Sequence, residues 1–119
     1  MEGDQSIKAD AGKLPVTLVP RKIIWDIAII RSYGTQKYGS SEAWKSVELD
    51  RYRNAMMRHM LAYLDDPHGV DEESGLPHLW HMCCNAAFLC ELEDIPDART
   101  VSLKQIKNCQ KIESQGNRG

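Results

Sequence analysis

The residues best suited to chemistry lie between Tyr52 and Glu93, where two helix-forming stretches flank a polar turn. The first stretch, Asn54-Ala55-Met56-Met57-Arg58-His59-Met60-Leu61, sets a guanidinium beside an imidazole. The turn is Asp66-Pro67-His68-Gly69-Val70-Asp71-Glu72-Glu73-Ser74-Gly75, and the second stretch opens Leu76-Pro77-His78-Leu79-Trp80-His81. Histidines three apart on a helix face the same way, so His78 and His81 are placed to reach one ion or one phosphate. Asp71 and Glu73 just upstream add hard oxygen donors. Together these four are candidate ligands for a divalent metal, with Mg or Mn favoured where carboxylates dominate. The bland alternative is a pair of hydrogen-bonded histidines in a helix-packing face.

Arg58 offers a planar fork that matches phosphate oxygens, and His59 can give or take a proton near neutral pH. A core cannot hold such a mixture of charges unpaired, so the stretch reads as a polar pocket for a phosphorylated ligand. If the chain is an enzyme, His59, Asp71 and Glu73 are its candidate catalytic groups. The chemistry that fits is a metal-activated water attacking a phosphoanhydride. No Ser-His-Asp or Cys-His arrangement and no glycine-rich phosphate loop can be read in the sequence. A structural alternative pairs Arg58 with Asp50 or Asp65 on neighbouring turns.

Two upstream stretches are candidates for the rest of the pocket. Lys13, in Asp10-Ala11-Gly12-Lys13-Leu14-Pro15, is a cation just before the first ordered element. Tyr33-Gly34-Thr35-Gln36-Lys37-Tyr38-Gly39-Ser40-Ser41 reads as a loop in which Lys37 meets phosphate and Tyr33 and Tyr38 stack on a base. Its glycines permit close backbone approach, although turn chemistry explains them equally well. Trp44 is either a further ligand contact or an anchor for that loop.

The elements that must carry these groups are helical. Pro20 sits where a first helix prefers proline, and Ile23, Ile24, Trp25, Ile27, Ile29 and Ile30 follow, with Tyr33-Gly34 as the expected end. A helix apolar on so many sides needs more than one neighbour, which predicts a homo-oligomer. Ser46 is a candidate cap for a second helix over 47–64, with Glu48 and Asp50 in its first turn. A third helix starts at Ser74 or at Gly75-Leu76-Pro77 and runs to Pro96. Its stripe of Leu79, Met82, Cys83, Ala86, Leu89 and Cys90 is apolar, while His78, His81 and Asn85 share another face. No alternating pattern long enough for a sheet is present. The reading is an all-α, compact, oligomeric bundle of about four helices. It has a flexible leader over 1–12, a helical nucleotide-binding domain over 13–96, a C-terminal helix over 97–113 and a disordered tail over 114–119.

Composition narrows the partners. With 119 residues the chain supports one domain. Its 15 Lys and Arg against 17 Asp and Glu are dispersed, without the basic stripe a nucleic acid duplex requires, so a small molecule is the expected ligand. No apolar run approaches the roughly 20 residues of a membrane span, and the first residues carry no secretory signal. The 4 cysteines lack zinc or redox spacing and read as free thiols of a reducing compartment.

The order Asp10-x-Gly12-Lys13-x-Pro15, Tyr33-Gly34-x-x-Lys37-Tyr38-Gly39, Trp44, Arg58-His59 and Asp71-x-Glu73-Ser74-Gly75-Leu76-Pro77-His78-Leu79-x-His81 resembles a phage-encoded family. That family is named for the dATP/dGTP diphosphohydrolase N-terminal domain and is loosely similar to MazG-like all-α NTP pyrophosphatases. The resemblance covers about residues 9–93. It implies an all-helical phage protein of the host cytoplasm that cleaves a purine dNTP to dNMP and pyrophosphate with a divalent ion. MazG-like enzymes hold Mg through Glu-x-x-Glu and Glu-x-x-Asp on consecutive helices, whereas here only Glu91-Leu92-Glu93-Asp94 has the second form. Either His and Asp residues take over that role, or the chain binds nucleotides or cyclic nucleotides without cutting them. A structural oligomer with no ligand is the third alternative.

Overall fold

Three α-helices and three short 3-10 turns make up the described part of the chain, residues 13–101 of a computed structural model. The expected leader over 1–12, the tail over 114–119 and all but the start of the 97–113 helix lie outside it. The helices are α1 (Lys22–Tyr38), α2 (Leu49–Asp65) and α3 (His78–Leu92). Among the described residues there is no strand, only an isolated antiparallel bridge between Val70 and Pro77. The fold is all-α, as its helical periodicity requires.

The helical unit spans Val19–Asp94. In it α3 is the shared partner, packing along α2 and against α1. Ile30 of α1, Tyr52 of α2 and Cys84 of α3 are its buried core, joined by one buried polar residue, Asn85. Ile24 and Trp25 lie on the open side of α1, 62% and 77% exposed, and the described residues do not cover that face. Arg53 of α2 ties to Glu93 at the end of α3 with an Nη2–Oε1 distance of 2.5 Å.

Several expected boundaries are corrected. Tyr33-Gly34 does not end α1; the helix passes through Gly34 and stops at Tyr38. A glycine inside a helix costs only about 1 kcal/mol, whereas termination needs a left-handed residue. Gly39 supplies it, with φ at 68° and its N–H donating to the Thr35 carbonyl at 2.8 Å. The segment read as a loop is therefore mostly the last turns of α1. Pro20 precedes the helix instead of opening it, since Arg21 is the cap. Ser46 does not cap α2 either: it closes the 3-10 turn Ala43–Ser46, and Glu48 is the cap residue, without a side-chain hydrogen bond. At the far end α3 stops at Leu92, before Pro96, with Glu93 as its extended cap residue.

The flanking unit holds the described residues up to Leu18 and from Ile95 onward. Its turns are Val16–Leu18 and Ala98–Thr100. The second is capped by Asp97, whose carboxylate accepts from the Arg99 N–H at 2.7 Å. The Arg99 side chain holds that carboxyl down to about 2. Among the described residues no helix is long and apolar enough to cross a membrane. Of the cysteines, Cys84 is buried, Cys83 half-buried and Cys90 exposed, all free thiols, so only Cys84 serves as the small core residue expected. Cys109 lies outside the described residues.

Candidate functional site: a histidine–aspartate cluster between two helices

The connection from α2 to α3 is a closed loop, and its closure aims Asp71 and Ser74 at the helices. Its two ends are held together by the Asp71 N–H donating to Leu76 O at 2.8 Å and the His78 N–H donating to Gly69 O at 3.2 Å. Gly75, at φ 71°, adopts the left-handed turn that lets its N–H reach the Asp71 carbonyl at 2.7 Å. The Asp71 carboxylate then accepts from the Ser74 N–H at 2.9 Å, an Asx-type closure characteristic of aspartate in turns.

Against this loop lie three imidazoles. His59 comes from α2, while His78 and His81 come from the first turn of α3. His59 Nδ1 and His78 Nδ1 are 2.9 Å apart, so one nitrogen carries a proton and the other accepts it. The His81 ring lies flat on His59, with centroids 4.7 Å apart and planes 11° apart. Its Nε2 is 2.7 Å from the Ser74 hydroxyl, which also accepts from the Leu76 N–H.

Electrostatics favour neutral His59 and His81 rings beside an ionised Asp71. Burial holds His59 below its ordinary value, and the neighbouring His81, His78 and Arg58 act in the same direction. Burial also lowers His81, against the pull of Asp71. Burial pushes the Asp71 carboxyl up, but the hydrogen bonds from Ser74 prevail and leave it below the usual carboxylate value. Neutral imidazole and ionised carboxylate are the protonation states that bind metals.

A donor atom from each of His59, Asp71 and His78 lies within 4.8 Å of the other two, a spread that allows one ion to gather all three. Two imidazoles and one carboxylate fit Mn, Fe or Zn better than Mg, which prefers oxygen alone.

The other expected site residues divide. His81 adjoins this trio through its stacking on His59 but is held by Ser74. Glu73 forms an ion pair with Lys37, with the Tyr33 hydroxyl close by, and is not among the three converging donors. That pairing raises Lys37 and lowers Glu73, so each fixes the charge of the other. Tyr33 meets the edge of His81 at 6.3 Å, while Tyr38 is exposed with Lys37 over its ring. Arg58 is exposed on α2 beside His59, and it pairs with neither Asp50 nor Asp65. Trp44 is stacked on Phe88 away from the trio, with centroids 4.7 Å apart. Lys13 belongs to the flanking unit, not to the helical unit that builds the cluster.

Ser74, legible in the sequence only as a possible helix start, and Phe88 and Tyr52, the aromatic neighbours of Trp44, take places that helical spacing does not announce. The hydroxyl three residues after Asp71 and seven before His81 was the available signal for Ser74.

The helical unit and its cluster define a small all-α protein with a candidate cation site between two helices. A family model described as dATP/dGTP diphosphohydrolase, N-terminal, matches residues 4–100, and the chain belongs to that family. A dATP/dGTP diphosphohydrolase of Salmonella phage PMBT28 is 32% identical over 83 residues, which is 70% of this chain. The chain spans 28% of that relative's own length. No solved structure matches.

Proposed function

We propose that this chain carries a metal-dependent purine dNTP pyrophosphohydrolase activity, converting dATP or dGTP and water to dNMP and pyrophosphate. The observation that carries it is the convergence of His59, Asp71 and His78 in a chain of the diphosphohydrolase family. A divalent ion held there, Mn fitting the donors better than Mg, would supply polarisation of the phosphoanhydride and offset the charge that develops on it.

The chain's own residues account for the remaining steps. His59, His78 and Asp71 would hold the ion, each imidazole through an unprotonated ring nitrogen. His81, oriented by Ser74, is placed to accept a proton from the attacking water. The water oxygen bonds to the α-phosphorus as the bridge to the β-phosphate breaks, and pyrophosphate departs with that electron pair. Arg58, exposed beside His59, offers its guanidinium to the phosphates. The phage origin of the relative suggests that the reaction belongs to phage nucleotide metabolism in the host cytoplasm.

The pairing of Glu73 with Lys37 favours a second reading, a nucleotide-binding protein that does not cut. It removes one carboxylate from the cluster and one cation from the phosphates. The two readings separate on one assay. The full chain, incubated with each dNTP and Mn or Mg, releases pyrophosphate under the first, and Asp71→Asn abolishes that release. Nucleotide bound yet unchanged at high protein concentration supports the second and overturns the first.

A further inference from the structure

Beside the cluster, a cavity of about 550 Å³ opens among α1, the Ala43–Ser46 turn, α2 and α3. Pockets for small ligands occupy roughly 300–1,000 Å³, so this one has room for a nucleoside. Its walls include Trp44 and Phe88, whose planes lie 16° apart, and Tyr52, 4.8 Å from Phe88. The Tyr52 hydroxyl donates to the Trp44 carbonyl at 2.6 Å, which fixes the turn to α2. Arg31 donates to Ser41 O at 2.7 Å and lies over both Trp44 and Phe88, bracing the same wall.

Asn85 stands apart in a lining that also takes in Arg31, Arg51 and Ser40, because it is buried where they are not. It is 9% exposed, lines the cavity, and has no hydrogen-bond partner among the described residues. A buried carboxamide without partners is costly. Yet no side-chain polar atom among the described residues is sealed from solvent without a partner, so the Asn85 amide keeps an opening, and the cavity is the space it lines. A carboxamide offers two donors and an acceptor side by side.

Tyr33 joins this space to the cluster. It lines the cavity and meets the His81 ring edge-on, so the two sites share a wall. A ligand spanning both has a flat, stacking part with a donor–acceptor edge and an anionic part.

We propose that this cavity seats the nucleobase of a nucleotide, with Asn85 hydrogen-bonding its edge. The inference rests on the nucleotide reading of the neighbouring cluster and assigns the base a separate site. Asn85 is then a base-edge recognition residue seven positions after His78 on the same helix. An amide pairs with an adjacent donor and acceptor, an arrangement that adenine and guanine both present. The aromatic wall supplies stacking that tolerates either.

The test is calorimetry on the full chain with dAMP, with dGMP and with Mn alone, comparing wild type, Asn85→Leu and Ala55→Leu. The second variant fills the cavity from α2, where Ala55 lines it. Both variants are expected to weaken dAMP and dGMP binding about 10- to 100-fold, with Mn affinity within about twofold of wild type, because the ion's ligands are elsewhere. Pyrophosphate release should then show KM rising more than kcat falls. In wild type, the Asn85 side-chain amide resonances should shift on adding deoxyadenosine, which has no phosphate; this readout holds even where a variant does not fold. Unchanged nucleotide affinity in the folded variants, no amide shift at saturating nucleoside, or no binding of dAMP or dGMP overturns the base site. Pyrophosphate release with a KM indifferent to Asn85 overturns the base site but leaves the hydrolase reading standing. Asn85-dependent binding with no pyrophosphate released does the reverse.

Discussion

His59 and His78, 19 residues apart in sequence, bring their Nδ1 atoms to 2.9 Å across the α2–α3 interface. Two nitrogens so close share one proton at most. Burial holds His59 below its ordinary value although the Asp71 carboxylate beside it favours a proton, an arrangement that suits a metal cation.

Metal affinity should therefore respond to each member. Replacing a group that merely orients a ligand costs about 10- to 100-fold in affinity, and loss of a ligand itself costs at least that. His59→Ala, His78→Ala and Asp71→Asn are each expected to weaken Mn binding at least 100-fold by calorimetry. Ser74→Ala, which keeps the N–H that the Asp71 carboxylate accepts but removes the hydroxyl beside it and beside His81, should cost about tenfold at most. Retention of wild-type affinity in His78→Ala would remove the proposed site.

Acid should destabilise the metal-free protein in a defined window. His59 and His81 are held below the ordinary histidine value of 6.5 in the fold, chiefly by burial. As pH drops below 6.5 the unfolded chain takes up protons that the folded chain refuses, so stability is full above that point and declines beneath it. Asp71, held low, gives up its contribution only at the more acidic end, below 3.8. Urea midpoints measured from pH 7.5 to 5 should fall, and His81→Gln should flatten the slope. A midpoint independent of pH over that range would contradict the burial of both rings.

Tyr52→Phe isolates one bond. The ring is buried and its hydroxyl donates to the Trp44 carbonyl at 2.6 Å. Removing the donor should cost about 1 kcal/mol in denaturant unfolding, without loss of helix by circular dichroism. A change within error would mean that water replaces the bond.

The thiols should be modified in a set order. Burial pushes Cys84 up to about 11, so little of it is thiolate near pH 8, and it is the most buried residue of the core. Cys90 is exposed. Under native conditions iodoacetamide should label Cys90 well before Cys84, and denaturant should abolish the difference. Mass spectrometry of timed digests reads this directly.

What could be read from the sequence was whatever depends on near neighbours. The proline-bounded turn between α2 and α3 was legible because Asp66-Pro67 and Pro77 act locally, and the shared face of His78 and His81 follows from helical spacing alone. Gly34 misled for the same reason: its type signals an end, while the φ that terminates the helix falls on Gly39. Ser46 carries a capping hydroxyl but sits in a 3-10 turn set by the docking of Trp44 on Phe88. The His59–His78 contact depends on how two helices pack, and no spacing reveals it. Asn85 could be placed on a polar face, but its lack of a partner is a property of the cavity, not of the helix.

The candidate cation cluster would draw one ligand from each of two helices and one from the loop between them. It exists only while those helices are docked, so the unfolded chain has nothing equivalent to offer an ion. Occupancy would act as a clasp on the hairpin: at a hundred times its dissociation constant, an ion bound to the native chain alone adds about 2.7 kcal/mol. Ionic supply would then set how long this small helical unit survives heat and proteases.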